Sequence, residues 1–149
     1  MYTIQAFVAK RESFPLQIPD GLVLVQLEQN IQMIPIGATA QERYGIPNLP
    51  FTDEGDIELP PSLSELCGQL SLRGQVAYIE AEVFGGAGTQ AYVHAELGKV
   101  STPVVADRAI NTALQFLGVT RKPGFDEFDS VGLGKNRCAD TWLNDAIRP

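Results

Sequence analysis

The sequence predicts an α+β protein: a single domain over residues 1–149, with a mainly antiparallel sheet, a central hairpin and helices packed on one face. Three observations carry that expectation. Two alternating apolar runs flank a glycine-rich break within Val76–Leu97, which is the pattern of a hairpin. Apolar stripes at helical spacing occur separately, around Leu63–Leu70 and Ala109–Leu117. No strand–helix–strand rhythm joins these segments, so a parallel sheet is not indicated.

Taken in order, Tyr2–Val8 alternates as a strand, with Tyr2, Ile4, Ala6 and Val8 sharing one side. A loop with two prolines, Phe14–Gly21, ends on an Asp-Gly turn signal. Leu22–Leu27 and Ile31–Ile36 read as a second hairpin, and Pro35 belongs at an edge or strand end because it has no N–H to donate. Thr39-Ala-Gln-Glu42 has capping-box spacing, and Gly45 is placed to close a short helix at Tyr44. Ile46–Pro61 is a proline-rich acidic surface loop. Ser62–Glu65 then starts a helix whose stripe is Leu63, Leu66, Cys67 and Leu70. After the central hairpin, Asp107 is placed to cap a helix through Leu117, with Gly118 just beyond its end.

The hairpin carries the sharpest expectation. Alternation puts Ala77, Ile79, Ala81 and Val83 on one face of the first strand, and Ala91, Val93, Ala95 and Leu97 on one face of the second. With the later helix packed on the apolar face, Ala77, Ile79, Ala81, Val83, Ala91, Val93, Ile110, Leu114 and Leu117 are expected to be buried. With Gly85–Thr89 as the loop, Phe84 meets Gln90, so that Glu80 faces His94, Glu82 faces Tyr92 and Tyr78 faces Glu96. The sole histidine would then sit among Glu80, Glu82 and Glu96. That arrangement suits general acid–base chemistry or an oxygen-rich metal site, but it equally describes the solvated side of a hairpin. The solvated side is the favoured reading.

The chain carries 18 acidic and 11 basic residues, for a formal net charge of −7. Such a molecule is repelled by phosphate backbones, which argues against sequence-independent nucleic-acid binding. Cys67 and Cys138 form no CxxC pair and, with one histidine, are too few for a structural zinc site. Cys67 reads as a buried reduced thiol, with a Cys67–Cys138 disulfide as the alternative in an exported protein. Met1–Ala9 lacks the basic start and apolar run of a signal peptide, and Leu22–Val25 is far too short to cross a membrane. A cytoplasmic protein is expected.

Gly85–Thr89 lacks the Lys-Ser/Thr ending and following helix of a phosphate loop, so turn glycines explain it better. Asp126, Glu127 and Asp129 lack the ligand spacing of an EF-hand. No cofactor or metal is therefore assigned. Phe125, Phe128, Val131, Leu133, Trp142 and Leu143 read as apolar anchors of a docked tail, with an exposed interface role for Trp142 as the alternative.

Three segments, FGGAGTQA (Phe84–Ala91), AINTALQFLGV (Ala109–Val119) and DEFDSVGLGKNR (Asp126–Arg137), resemble a widespread family of small uncharacterised bacterial proteins. The resemblance covers roughly the C-terminal half and brings no catalytic motif. Some families of this size and composition act as immunity proteins against secreted toxins. The resulting expectation is a non-enzymatic protein-binding module that neutralises a basic toxin partner. Asp53, Glu54, Asp56, Glu58, the hairpin face and Trp142 are its expected contact residues. The competing expectation is a small-molecule or metal-dependent enzyme using His94 and Glu80, assisted by Glu82 or Glu96.

Overall fold

A computed structural model describes residues 1–84 and 87–147. The strands are β1 (Tyr2–Lys10), β2 (Val25–Gln26), β3 (Ile31–Pro35), β4 (Gln75–Phe84), β5 (Ala87–Glu96), β6 (Lys99–Val100) and β7 (Val104–Val105). They form one seven-stranded sheet in the order β2-β3-β1-β4-β5-β6, with β7 also pairing with β5. Every pairing among them is antiparallel. The helices are α1 (Ala38–Tyr44), α2 (Pro61–Leu70), α3 (Ala109–Phe116), α4 (Glu127–Ser130) and α5 (Ala139–Ile147), with a 3-10 turn at Leu133–Lys135. This is a single α+β domain, as the sequence predicts.

The helices cover both faces of the sheet, which corrects the expectation of one. Ile4, Ala6, Val8, Ala77, Ile79 and Ala81 lie in a core with Ile110, Leu114 and Leu117 of α3 and with Val131, Leu133 and Trp142 from the C-terminal segment. On the other face, Phe7, Val76, Tyr78, Ala91 and Val93 pack with Leu63, Leu66, Cys67 and Leu70 of α2 and with Ala40 of α1. The central strands β1 and β4 are therefore buried on both sides, and their polar positions do not mark solvent.

The hairpin register also differs. Pairing runs out to Phe84↔Ala87, so only Gly85 and Gly86 separate the strands, and these two lie outside the described residues. The phosphate-loop reading of Gly85–Thr89 thus falls partly on undescribed residues, whereas Gly88 and Thr89 belong to β5. Gly88 sits opposite Val83, where a Cβ would lie 2.6 Å from both the Glu82 carbonyl oxygen and the Val83 Cα. A strand position that close to its neighbour's backbone requires glycine. Glu80 meets Ala91 instead of His94, a shift of three residues along β5. An odd shift reverses which faces coincide. Ala77, Ile79 and Ala81 therefore share a side with His94, Tyr92 and Gln90, while Ala91 and Val93 lie on the opposite side. The residues expected to be buried are buried except Val83, which is half-buried, but they divide between two cores.

Element ends follow local chemistry. Gly45 closes α1 in the left-handed region, and Gly118 follows α3 at φ 89°. The expected side-chain caps at Thr39 and Asp107 are absent: α1 begins after Gly37 and α3 after Arg108. Pro35 ends β3, where its ring interrupts no further ladder bond. The C-terminal segment is docked, with Leu133 and Trp142 buried and Phe128 edge-on to Tyr2 at 5.2 Å between ring centroids.

Candidate functional site

Glu80 is completely buried, and its carboxylate is saturated by donors. Its Oε2 accepts the Thr52 N–H (2.9 Å), the Thr52 hydroxyl (2.8 Å) and the Phe51 N–H (3.3 Å). Its Oε1 accepts the Tyr78 hydroxyl at 3.0 Å. The chain of bonds continues through Gln5 to the surface at Asn48. Gln5 Nε2 donates to the Tyr78 oxygen (2.9 Å) and to the Pro47 carbonyl (3.0 Å), and Gln41 Nε2 donates to Gln5 Oε1 (2.6 Å) and Asn48 Oδ1 (3.1 Å). Burial raises the Glu80 pKa, opposed by the hydrogen bonds from Thr52, Tyr78 and Phe51. Tyr78 is raised too, first by burial and then by the Glu80 charge. This network ties the Ile46–Pro60 loop to the sheet. It offers no proton to a solvent-borne substrate.

The same loop displays its acidic residues outward. Asp53, Glu54, Asp56 and Glu58 are all exposed, and Ile57 among them is 90 % exposed. Its base is rigid: Leu49 and Phe51 are buried, and the Asp53 and Asp56 amides donate to the Leu49 (3.0 Å) and Pro50 (2.8 Å) carbonyls. Ile57 is thus an exposed apolar side chain between two exposed acidic residues, Asp56 and Glu58.

The Glu80/His94 pairing is corrected by the register. Glu80 and Glu82 lie on the α2 side of the hairpin, whereas His94 and Glu96 lie on the α3 side. His94 is half-buried with its ring 5.7 Å from that of Phe116, not among carboxylates. Among the described residues, no three His, Cys, Asp or Glu side chains come together to hold a metal ion. Trp142 is only 4 % exposed, so it is a core residue and not an exposed interface anchor. Cys67 is a free, buried thiol whose pKa burial pushes up to about 12, and Cys138 is free as well. Among the described residues, no helix is long and apolar enough to cross a membrane.

A second feature lies beside α3. The three segments of the family resemblance meet there around a cleft of about 380 Å³, through Gln90, Ile110, Asn111, Asp126, Phe128, Gly134 and Arg137. Tyr2, Ala81 and Val83 complete the wall. Its polar groups hold one another in place. The Ile110 N–H donates to Gln90 Oε1 (3.1 Å), the Phe128 N–H to Asn111 Oδ1 (2.9 Å), and Asn111 Nδ2 to Asp126 Oδ2 (3.1 Å). Asp126 Oδ1 caps α4 by accepting the Asp129 N–H at 2.9 Å. Desolvation acts to raise the Asp126 pKa, but the Asp129 amide, the Asn111 side chain and the Arg108 charge together hold it below the usual value. Burial and the Asp126 charge raise its neighbour Asp129.

Sequence reasoning missed Gln5, Tyr78 and Thr52 in the network and Gln90, Asn111 and Arg137 at the cleft. Two of these had a signal. Gln5 interrupts an otherwise apolar strand core, and Asn111 sits directly after Ile110 in the buried stripe of α3. A polar residue at such a position needs a partner. Comparison of the chain with protein-family models, curated proteins and solved structures finds no match.

Proposed function

We propose that the chain is a non-enzymatic protein-binding module of immunity type, acting in the cytoplasm and neutralising a basic protein partner through the Asp53–Glu58 loop. The family resemblance of its three motifs motivates the immunity reading. One observation carries the choice of surface: Ile57 stands 90 % exposed between Asp56 and Glu58, on a loop whose base is bonded to the buried Glu80. A pre-ordered loop loses little entropy on docking, so its exposed apolar tip and surrounding charge favour association directly. The carboxylates steer a basic partner, and Ile57 supplies the desolvated contact.

The test is a salt-graded pulldown from cells encoding the chain, using wild type and Ile57→Asp. Wild type should retain a basic protein at low salt and release it as salt rises, and a toxin gene should neighbour the coding sequence. The Ile57→Asp variant should bind that protein at least about 10-fold more weakly. Failure to retain a basic protein, or equal binding by the variant, would sink this reading.

A further inference from the structure

The cleft beside α3 is independent of the acidic loop and has the make-up of a small-molecule site. Its volume of about 380 Å³ is enough for a compact ligand, and its walls are mixed: Tyr2, Ile110 and Phe128 are apolar, while Gln90, Asp126 and Arg137 are polar. The surfaces are pre-organised. Tyr2 is held by its hydroxyl on the Leu133 carbonyl (3.1 Å), and the Arg137 carbonyl accepts the Thr3 N–H (2.8 Å), pinning that backbone to β1. Gln90 Oε1 is occupied by the Ile110 N–H, which leaves the amide nitrogen as the group free to donate.

The charges settle the ligand class. Asp126 and Arg137 line the same cleft, yet the two salt bridges among the described residues, Arg43–Asp20 and Lys122–Glu28, involve neither. A ligand that carries both signs complements both Asp126 and Arg137. A simple carboxylate would meet Asp126 unfavourably, and a simple amine would meet Arg137 unfavourably. We propose that this cleft binds a zwitterion of the α-amino-acid class with an apolar side chain. Its carboxylate lies at Arg137 and the Gln90 amide, its ammonium lies at Asp126, and its side chain rests on Tyr2, Ile110 and Phe128.

The probe is L-phenylalanine, titrated into the ¹⁵N-labelled protein and followed by amide chemical shifts. Phenylacetate, phenethylamine and benzyl alcohol serve as single-charge and neutral analogues. L-Phenylalanine should give saturable shifts at Ile110, Asn111 and Phe128 with a Kd of about 1 mM, and each analogue should bind at least about 10-fold more weakly. Arg137→Gln should weaken L-phenylalanine by a similar factor, while Lys135→Gln, outside the cleft wall, should leave it unchanged. Absence of saturable shifts with L-phenylalanine overturns the proposal, as does equal binding of benzyl alcohol. The analogue series on wild type decides the matter even if Arg137→Gln fails to fold. Neither result bears on the acidic loop, whose test uses a protein partner.

Discussion

Where α3 and the C-terminal segment cover Ala77, Ile79 and Ala81, the contact is apolar, made by Ile110, Leu114, Val131, Leu133 and Trp142. Where the Ile46–Pro60 loop covers the other side of the same strand, Ile46 and Phe51 join the apolar core, and hydrogen bonds to Glu80 and to Gln5 of β1 are added. The first kind of contact is non-directional and grows with the area removed from water. The second is directional, and leaving any donor unmatched costs free energy. One strand thus fastens a helical layer by area and a loop by area and geometry together. The loop so fastened carries the exposed acidic residues and Ile57, which need a fixed presentation more than they need thickness of core.

The largest way to break the comparison is to strip the apolar cover. Deleting Phe125–Pro149 removes Val131, Leu133 and Trp142, each buried, and bares Ile4, Met33 and Ile79 beneath them. Burying each large side chain contributes about 1.5–3 kcal/mol. Total stabilities of domains are only about 5–15 kcal/mol. The truncated chain should lose its cooperative thermal transition, as read by circular dichroism. Retention of a wild-type transition would show that the segment is not part of the core.

The polar side is broken by Glu80→Ala, which removes the acceptor of the Tyr78 and Thr52 hydroxyls and of two backbone amides. The expected cost is about 3 kcal/mol in urea unfolding, with faster hydrogen exchange at Thr52. Glu80→Gln keeps one oxygen in place and should cost about 1 kcal/mol. A similar loss in both variants would mean that volume, not hydrogen bonding, holds the loop.

These two regions also differ in how far the sequence reveals them. The hairpin, α2 and α3 are legible because their apolar residues recur at the periods of strand and helix. Which faces coincide is not, because both faces of β4 are covered and alternation then carries no in-or-out signal. The glycines compound the difficulty: Gly85, Gly86 and Gly88 bring no side chains to fix register, and the requirement at Gly88 comes from the facing backbone. Glu80 reads as solvent-facing because its donors arrive from Phe51 and Thr52, in a loop whose path no local pattern records. The cleft is legible only in part. Its segments stand out in the sequence, but their meeting around Gln90, Asn111 and Arg137 depends on that register.

Titration sharpens the contrast, because Glu80 and Asp126 respond to pH with opposite sign. The Glu80 pKa is raised by burial above its ordinary 4.5, so the folded state holds that proton more tightly than the unfolded state. Its contribution is most favourable at low pH and is lost as pH rises from 4.5 through the raised value. Asp126 is held below its ordinary 3.8, so its contribution is present above that value and is lost as pH falls toward the lowered one. Unfolding free energies measured across acid pH should show the upper slope flattened by Glu80→Gln and the lower slope flattened by Asp126→Asn. If Glu80→Gln leaves the upper slope intact, another group controls it.

The smallest effect should come from the surface pair Lys122–Glu28, which links the turn before β3 to the chain after α3. Their side chains are 45 % and 57 % exposed, so water and salt screen the attraction and ordering two long side chains opposes it. The same two segments are already joined by the Gln29 amide, which donates to the Thr120 carbonyl (2.7 Å) and accepts the Thr120 N–H (3.0 Å). They are joined again by the Glu28 N–H on the Val131 carbonyl at 3.1 Å. Glu28→Gln should therefore change unfolding free energy by less than about 0.5 kcal/mol, with the difference shrinking further as salt is raised. Gln29→Ala, which removes the bonds to the Thr120 carbonyl, N–H and hydroxyl, should cost about 1 kcal/mol and be insensitive to salt. If Glu28→Gln instead costs more than Gln29→Ala, charge rather than the amide clamp holds this junction, and the apolar side of the molecule depends on electrostatics at its rim.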